Sequence, residues 1–293
     1  MSANVPTIEL STAGLDPLPI GTGGVLGLRG LDLGFPVGRP VVEEAVGRNG
    51  TVDRSQHFGA RNITASVLGK RAGWDTIQLL RAYLAPNRFS SMLIRSAWQG
   101  APDLVATVRG STAAQQFTIN DLQQNIDRVT VQWIGVDGVL ESAAPNSRET
   151  GPAGVAEVGG RPYPLDYDID FPNAAASGSV VVENKGVAES YPVVRIFGPV
   201  DDPVVSLIDA AVQPSKSLGF VGLSIAANDY LELDLKAHTA LYNGNPLDNR
   251  FGSIDFASSS WWWLDPGTQR VRFTGDNTSP TTKAVIDWRD AYI

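Results

Sequence analysis

Short runs in which apolar and polar residues alternate, broken by glycine, proline or asparagine, fill most of this 293-residue chain. A period of two buries one face of a strand and wets the other. In the first half this pattern covers Val25–Leu33, Arg61–Leu68, Met92–Arg95, Asp103–Arg109, Gln115–Ile119 and Arg128–Ile134. Asn49-Gly50 lies between two such runs and is a strong hairpin signal. One stretch has another period. Trp74, Ile77, Leu80 and Leu84 recur at helical spacing. Asp75 suits the positive end of the helix dipole, and Pro86-Asn87 closes the element. This predicts a core-facing helix over about 73–85.

The second half predicts strands at Tyr167–Phe171, Ser177–Glu183, Tyr191–Phe197, Leu218–Leu223, Tyr230–Leu235, Thr239–Tyr242, Trp261–Leu264, Val271–Thr274 and Ala284–Trp288. In Tyr230–Leu235 leucines alternate with carboxylates. Asn243-Gly244 reads as a hairpin turn. Asp265-Pro266-Gly267-Thr268 reads as a type II turn, with proline second and glycine where φ is positive. Even strand spacing with turn signals between is the pattern of a sandwich. Two segments carry weaker patterns. Residues 1–24 read as an arm or a loosely held first strand. Residues 141–165, rich in Pro, Gly and Ala, read as a linker, long loop or strap. The expected organisation is two mainly β domains, 1–142 with the helix and 143–293 as the sandwich.

Composition narrows the chemistry. Charged residues are 18% of the chain, and Gly and Pro number 30 and 19. With no cysteine there is no disulfide, thiolate metal site or cysteine nucleophile. Only His57 and His238 could serve a histidine site, and neither has metal-ligand spacing. Residues 1–142 carry 12 basic and 12 acidic side chains, and residues 143–293 carry 11 and 19. No basic patch for nucleic acid is expected. No apolar run is long enough to span a membrane, and Met1–Leu10 lacks the basic start and apolar core of a secretory signal.

Three constellations are candidates for function. Asp166, Asp168 and Asp170 would project from one side of a strand about 7 Å apart, as half of a calcium site or as a solvated face. Asp201 and Asp202 form a carboxylate pair, but adjacent residues on an extended chain point apart, which argues against glycoside hydrolysis. Trp261, Trp262 and Trp263 offer aromatic faces, yet alternation puts Trp262 opposite its neighbours. No phosphate loop and no nucleophile elbow is present. The residues thus predict no catalytic site, metal or cofactor.

The chain resembles the distal tail proteins of long-tailed phages with non-contractile tails. The pieces are Tyr191–Pro199, Asn228–Leu235, Tyr242-Asn243-Gly244, Trp261–Gly267 and Asp287–Asp290, in that order. The resemblance implies a barrel-like or split-barrel N-terminal domain with one helix and a galectin-like C-terminal sandwich. It implies a virion protein at the tail tip, made in the host cytoplasm and forming a hexameric ring. Its partners would be like subunits, the tail tube protein, the tape measure protein and the tail-tip or baseplate hub proteins. DNA would pass through the channel without specific binding, and no membrane would be involved. Trp261, Trp262, Trp263, Pro266, Gly267, Trp288 and Arg289 would then be structural or interface residues. The alternative is a carbohydrate-binding sandwich that recognises host wall glycans through the tryptophans.

Overall fold

A computed structural model describes residues 6–21, 26–36, 38–44, 51–70, 74–95, 100–111, 116–118, 126–153, 178–208 and 214–293. The chain divides into two compact units, Met1–Ala144 with Ala291–Ile293, and Pro145–Asp290.

The first unit contains β1 (Thr7–Thr12), β2 (Leu15–Ile20), β3 (Leu26–Asp32), β4 (Gly38–Glu44), β5 (Thr51–Phe58) and β6 (Arg61–Lys70). Helix α1 (Trp74–Tyr83) follows, then β7 (Phe89–Arg95), β8 (Leu104–Gly110), β9 (Gln116–Thr118), β10 (Ile126–Gly135) and β11 (Leu140–Ser142). Strands β8, β7, β1, β2, β3, β6 and β10 pair in that order, and β10 pairs back to β8, closing a seven-stranded barrel. Closure removes the exposed edges that an open sheet would leave. Strand β6 shows why the chain does this. Ile63, Ala65 and Val67 are fully buried, while Asn62 and Ser66 are exposed. The antiparallel pair β4–β5 forms a separate two-stranded sheet carrying His57 on β5, and its Asn49-Gly50 turn lies outside the described residues.

Helix α1 packs Leu80 and Tyr83, with Leu84 just beyond its end, into the barrel core. Asp75 stands in its first turn and Arg81 in its last, the arrangement that complements the helix dipole. The Tyr83 hydroxyl donates to the Asp16 carbonyl at 2.9 Å, which ties the helix to β2.

Of the two readings of residues 1–24, an arm or a loosely held first strand, the described residues 6–21 follow the strand, and they are held more firmly than expected. Ile8, Leu10, Leu18 and Ile20 are core residues, and β1 and β2 are joined by a tight turn at Ala13-Gly14, where Gly14 has φ +79°. The Ile8/Leu10 and Leu18/Ile20 alternation is the signal that the Gly- and Pro-rich composition obscured. Arg61 was equally unforeseen. It is 1% exposed, donates from Nε to the Gly138 carbonyl at 2.8 Å, and leaves Nη2 without a partner. Burial lowers its pKa.

The second unit contains β12 (Asn146–Thr150), β13 (Ser179–Asn184), β14 (Val193–Phe197), β15 (Val200–Ile208), β16 (Pro214–Gly219) and β17 (Ser224–Ile225). Then come β18 (Tyr230–Asp234), β19 (Thr239–Tyr242), β20 (Gly267–Asp276) and β21 (Lys283–Trp288). One sheet has the order β12-β21-β14-β18-β19 and the other β13-β20-β15-β16, with β17 paired to β15. The inward residues lie in register. Val194 faces Leu233 and Ile286 across its two ladders, and Ile196 faces Leu231 and Ala284. All six are fully buried, together with Val182, Val205, Leu218, Val271 and Phe273 of the other sheet. Short strand β22 (Ala291–Tyr292) pairs with β11 in the first unit.

The expected linker is partly strand. Leu140–Ser142 is β11, and Asn146–Thr150 is β12, paired along its whole length with β21. The sequence Asn-Ser-Arg-Glu-Thr contains no apolar residue, because an edge strand can be held by its backbone ladder alone.

Candidate functional site

The tryptophan triplet is built from the core outward. Trp262 is 1% exposed and lies in the sandwich core with Leu264. The triplet is not the strand that alternation predicts. Its one ladder contact is the bridge Ser190–Leu264, closed by Ser190 N–H to Leu264 C=O at 2.9 Å and by Leu264 N–H to Ser190 C=O at 2.7 Å. Asn184, 1% exposed, fastens the same carbonyl. Its Nδ2 donates to Leu264 C=O at 3.1 Å and to Ala188 C=O at 2.7 Å, while its Oδ1 accepts from Gly186 N–H at 3.0 Å. Asn184→Ala orphans these groups, and the expected cost is about 2 kcal/mol in urea unfolding. Wild-type stability in this variant would show that the anchor is dispensable.

The two outer tryptophans are already occupied by protein. Trp261 stacks on His238, with centroids 4.7 Å apart and planes at 16°, and on Phe251 at 6.3 Å and 17°. His238 reaches this position from a left-handed backbone, φ +56°. Trp263 carries the Lys216 ammonium 3.5 Å from its ring centre, tilts against Tyr191, and donates from Nε1 to Asp265 at 3.0 Å. Gly267 has φ +101°, in the region that favours glycine, and already belongs to β20, where it pairs with Asn184. The Trp288 indole N–H donates to Glu183 C=O at 3.0 Å, and the Arg289 carbonyl accepts from the Ser190 hydroxyl at 2.6 Å. Asn184 and Ser190 thus fasten Leu264, just beyond the triplet, together with Gly267 and the Arg289 carbonyl.

Tyr191, beside Trp263, has its pKa pushed up to about 12, first by burial and then by the hydrogen bond to Glu189 and the charges of Glu189 and Asp265. The folded state therefore favours the neutral phenol. This contribution to stability is complete below the ordinary tyrosine pKa of about 10 and is lost as pH rises towards 12. Phenolate absorbance is expected to show one tyrosine titrating near 12, absent in Tyr191→Phe. An unchanged high-pH phase in that variant would refute the assignment.

The carboxylate candidates separate. Asp166, Asp168 and Asp170 lie outside the described residues. Asp201 is held below the usual carboxylate range by hydrogen bonds from Ser224 and Asn277. Asp202 turns away on a φ of +45°, its Oδ1 accepting from Leu223 N–H at 3.2 Å. Among the described residues no group of three or more His, Cys, Asp or Glu side chains could hold a metal.

One cluster had no local signal. On the outer face of the first sheet, Arg195 donates to Glu232 at 2.8 Å and to Asp287 at 2.7 Å, and its pKa is raised, chiefly by the Glu232 bond. These partners lie 37 and 92 residues away, so only the sheet register brings them together.

Residues 186–292 match the family model of the siphovirus-type tail component, C-terminal domain. This range, within which most of the second unit lies, is similar to that family's C-terminal domain. Across the whole chain the fold is similar to that of the SPP1 Dit (gp 19.1) protein, described as a paradigm of the hub adsorption apparatus in phages infecting Gram-positive hosts. That likeness has a TM-score of 0.64 at 12% identity, covering 99% of this chain and 100% of the other. A chain of the phage p2 baseplate in its activated conformation with Sr is similar at TM-score 0.51 and 13% identity, over 97% and 98% of the two chains. No curated protein matches the sequence. The Tyr191–Pro199 segment, the Leu231/Leu233 strand and the Trp261–Gly267 segment all fall inside the matched range. Trp262 packs in the sandwich core, while Trp261 and Trp263 are partly buried.

Proposed function

We propose that this chain is a structural virion protein at the distal end of a long non-contractile phage tail. There it forms a ring that joins the tail tube to the tip proteins that meet the host. The observation that carries this reading is the tail-component domain at 186–292, set within a fold that follows a hub protein over its full length. Its action is geometric and needs no catalysis. A heterologous interface whose rotation closes produces a ring with an open centre, and six copies are our reading of the count.

Charge placement supports this division of labour. The first 142 residues are balanced at 12 basic and 12 acidic, so like units can pack with little self-repulsion. The excess acid lies in the second half, where it would face partners. No helix among the described residues is long and apolar enough to cross a membrane. Native mass measurement and negative-stain imaging of the purified chain test the proposal, alone and mixed with its tail-tube neighbour. Closed rings are expected. A chain that stays monomeric in both preparations overturns it.

A further inference from the structure

Each sheet of the second unit turns one face to the core, and the two outer faces differ in how their charges are paired. On the first sheet the outward cations are answered. Arg195 is held by Glu232 and Asp287, and Lys283 by Glu149 at 2.8 Å. On the second sheet they are not. Val271 and Phe273 of β20 point into the core, so alternation turns Arg270 and Arg272 outward. Neither arginine has a hydrogen bond or an ion pair among the described residues.

Register sets what surrounds each of them. Arg272 lies opposite Ser179 on β13 and Ser206 on β15, and Ser206 shares a 2.9 Å hydrogen bond with Ser217 on β16. Arg272 therefore stands in a row of small hydroxyl residues that cannot neutralise it. Its Nε is buried without a partner, so part of the guanidinium is out of water with nothing to compensate. Its terminal nitrogens are not buried and carry no bond. Arg270 is exposed and lies opposite Val181 on β13, which is 47% exposed. The acid closest to it in register, Glu183, lies opposite Thr268 and makes no ion pair with either arginine. Two residues apart on one strand, the arginines have Cα atoms about 7 Å apart.

We propose that this outer face docks an extended acidic segment of a partner polypeptide, with carboxylates at alternate positions, one on Arg270 and one on Arg272. The match is of charge and of spacing. Alternate side chains of an extended chain project to one side and also recur about every 7 Å. A guanidinium is a planar fork that takes a carboxylate through two parallel hydrogen bonds. The methylene groups of a glutamate on Arg270 would lie against the exposed Val181. A polyphosphate strand fits less well. Two cations release too few counterions for tight binding, and the second half of the sequence, with 19 acidic and 11 basic side chains, repels a long polyanion. A neutral sugar would leave both charges unanswered.

The proposal does not depend on ring formation, so imaging and binding can fail separately. The test is fluorescence anisotropy of dye-labelled, C-terminally amidated peptides mixed with the full chain at low salt. Ala-Glu-Val-Glu-Ala is expected to bind saturably, with Ala-Gln-Val-Gln-Ala about tenfold weaker or worse. The isomer Ala-Val-Glu-Glu-Ala has the same charge and is expected to bind more weakly, because adjacent carboxylates on an extended chain point apart. Arg270→Gln/Arg272→Gln is expected to weaken the alternating peptide by about tenfold. Lys236→Gln, which removes an exposed cation elsewhere in the unit, is expected to leave it unchanged. Equal binding of the glutamate and glutamine peptides by the wild-type chain overturns the proposal whatever the variants do. So do equal binding of the two acidic isomers, equal losses in the arginine and lysine variants, and the absence of saturable binding. Displacement of the peptide by an equal concentration of inorganic tripolyphosphate overturns it in favour of a general anion site.

Discussion

Trp262→Ala is expected to cost about 3–5 kcal/mol, the range for deleting a large buried aromatic side chain. The indole is 1% exposed and sits in the sandwich core with side chains from both sheets. Its Nε1 has no hydrogen-bond partner, so truncation orphans no other group, and the loss is transfer free energy plus the cavity left behind. Its neighbour is the control. Trp261 is half-buried between His238 and Phe251, and Trp261→Ala removes stacking worth about 1 kcal/mol per contact. Urea unfolding followed by far-UV circular dichroism separates the two variants. Equal midpoints would mean that Trp262 is not a core residue and that the sandwich packs differently.

Gly110→Ala is expected to cost the first unit about 3 kcal/mol or more, at the upper end of overpacking effects. A Cβ at Gly110 would stand 1.8 Å from the Leu84 carbonyl oxygen and 2.2 Å from its carbon. Both are backbone atoms and cannot swing aside. Relief requires the end of α1 to lift off β8, and Leu80, Tyr83 and Leu84 to leave the core with it. Gly27→Ala on β3 is the comparison. Its Cβ would meet nothing closer than the Leu68 carbonyl at 3.7 Å. There alanine is expected to be neutral, or stabilising by about 0.5 kcal/mol, through lower backbone entropy in the unfolded chain. If Gly110→Ala melts like wild type, the close approach of helix and strand is wrong.

How much of this was legible in the sequence depended on the range of the interaction. Strand β18 showed itself because Leu231 and Leu233 alternate with Glu232 and Asp234. Helix α1 showed itself through Leu80 and Leu84, four residues apart. Both signals lie within one element. Strand β12 was missed because its stability comes from a ladder to residues 284–288, which five polar side chains do not announce. The triplet was half legible. Alternation separated Trp262 from its neighbours, but the ring packed on Trp261 belongs to His238, and the cation over Trp263 belongs to Lys216. The cluster of Arg195 with Glu232 and Asp287 exists only once sheet register is set.

Strand β22 adds a consequence for the order of synthesis. Leu140 pairs with Tyr292, and the whole of the second unit lies between them in the chain. Domains tend to fold as they emerge, N-terminal part first. Here the first unit must wait at its β11 edge until the second has been translated. A nascent chain cut short inside the sandwich therefore leaves that edge open, a ready template for another strand. That edge is covered only once Ala291 and Tyr292 have been made.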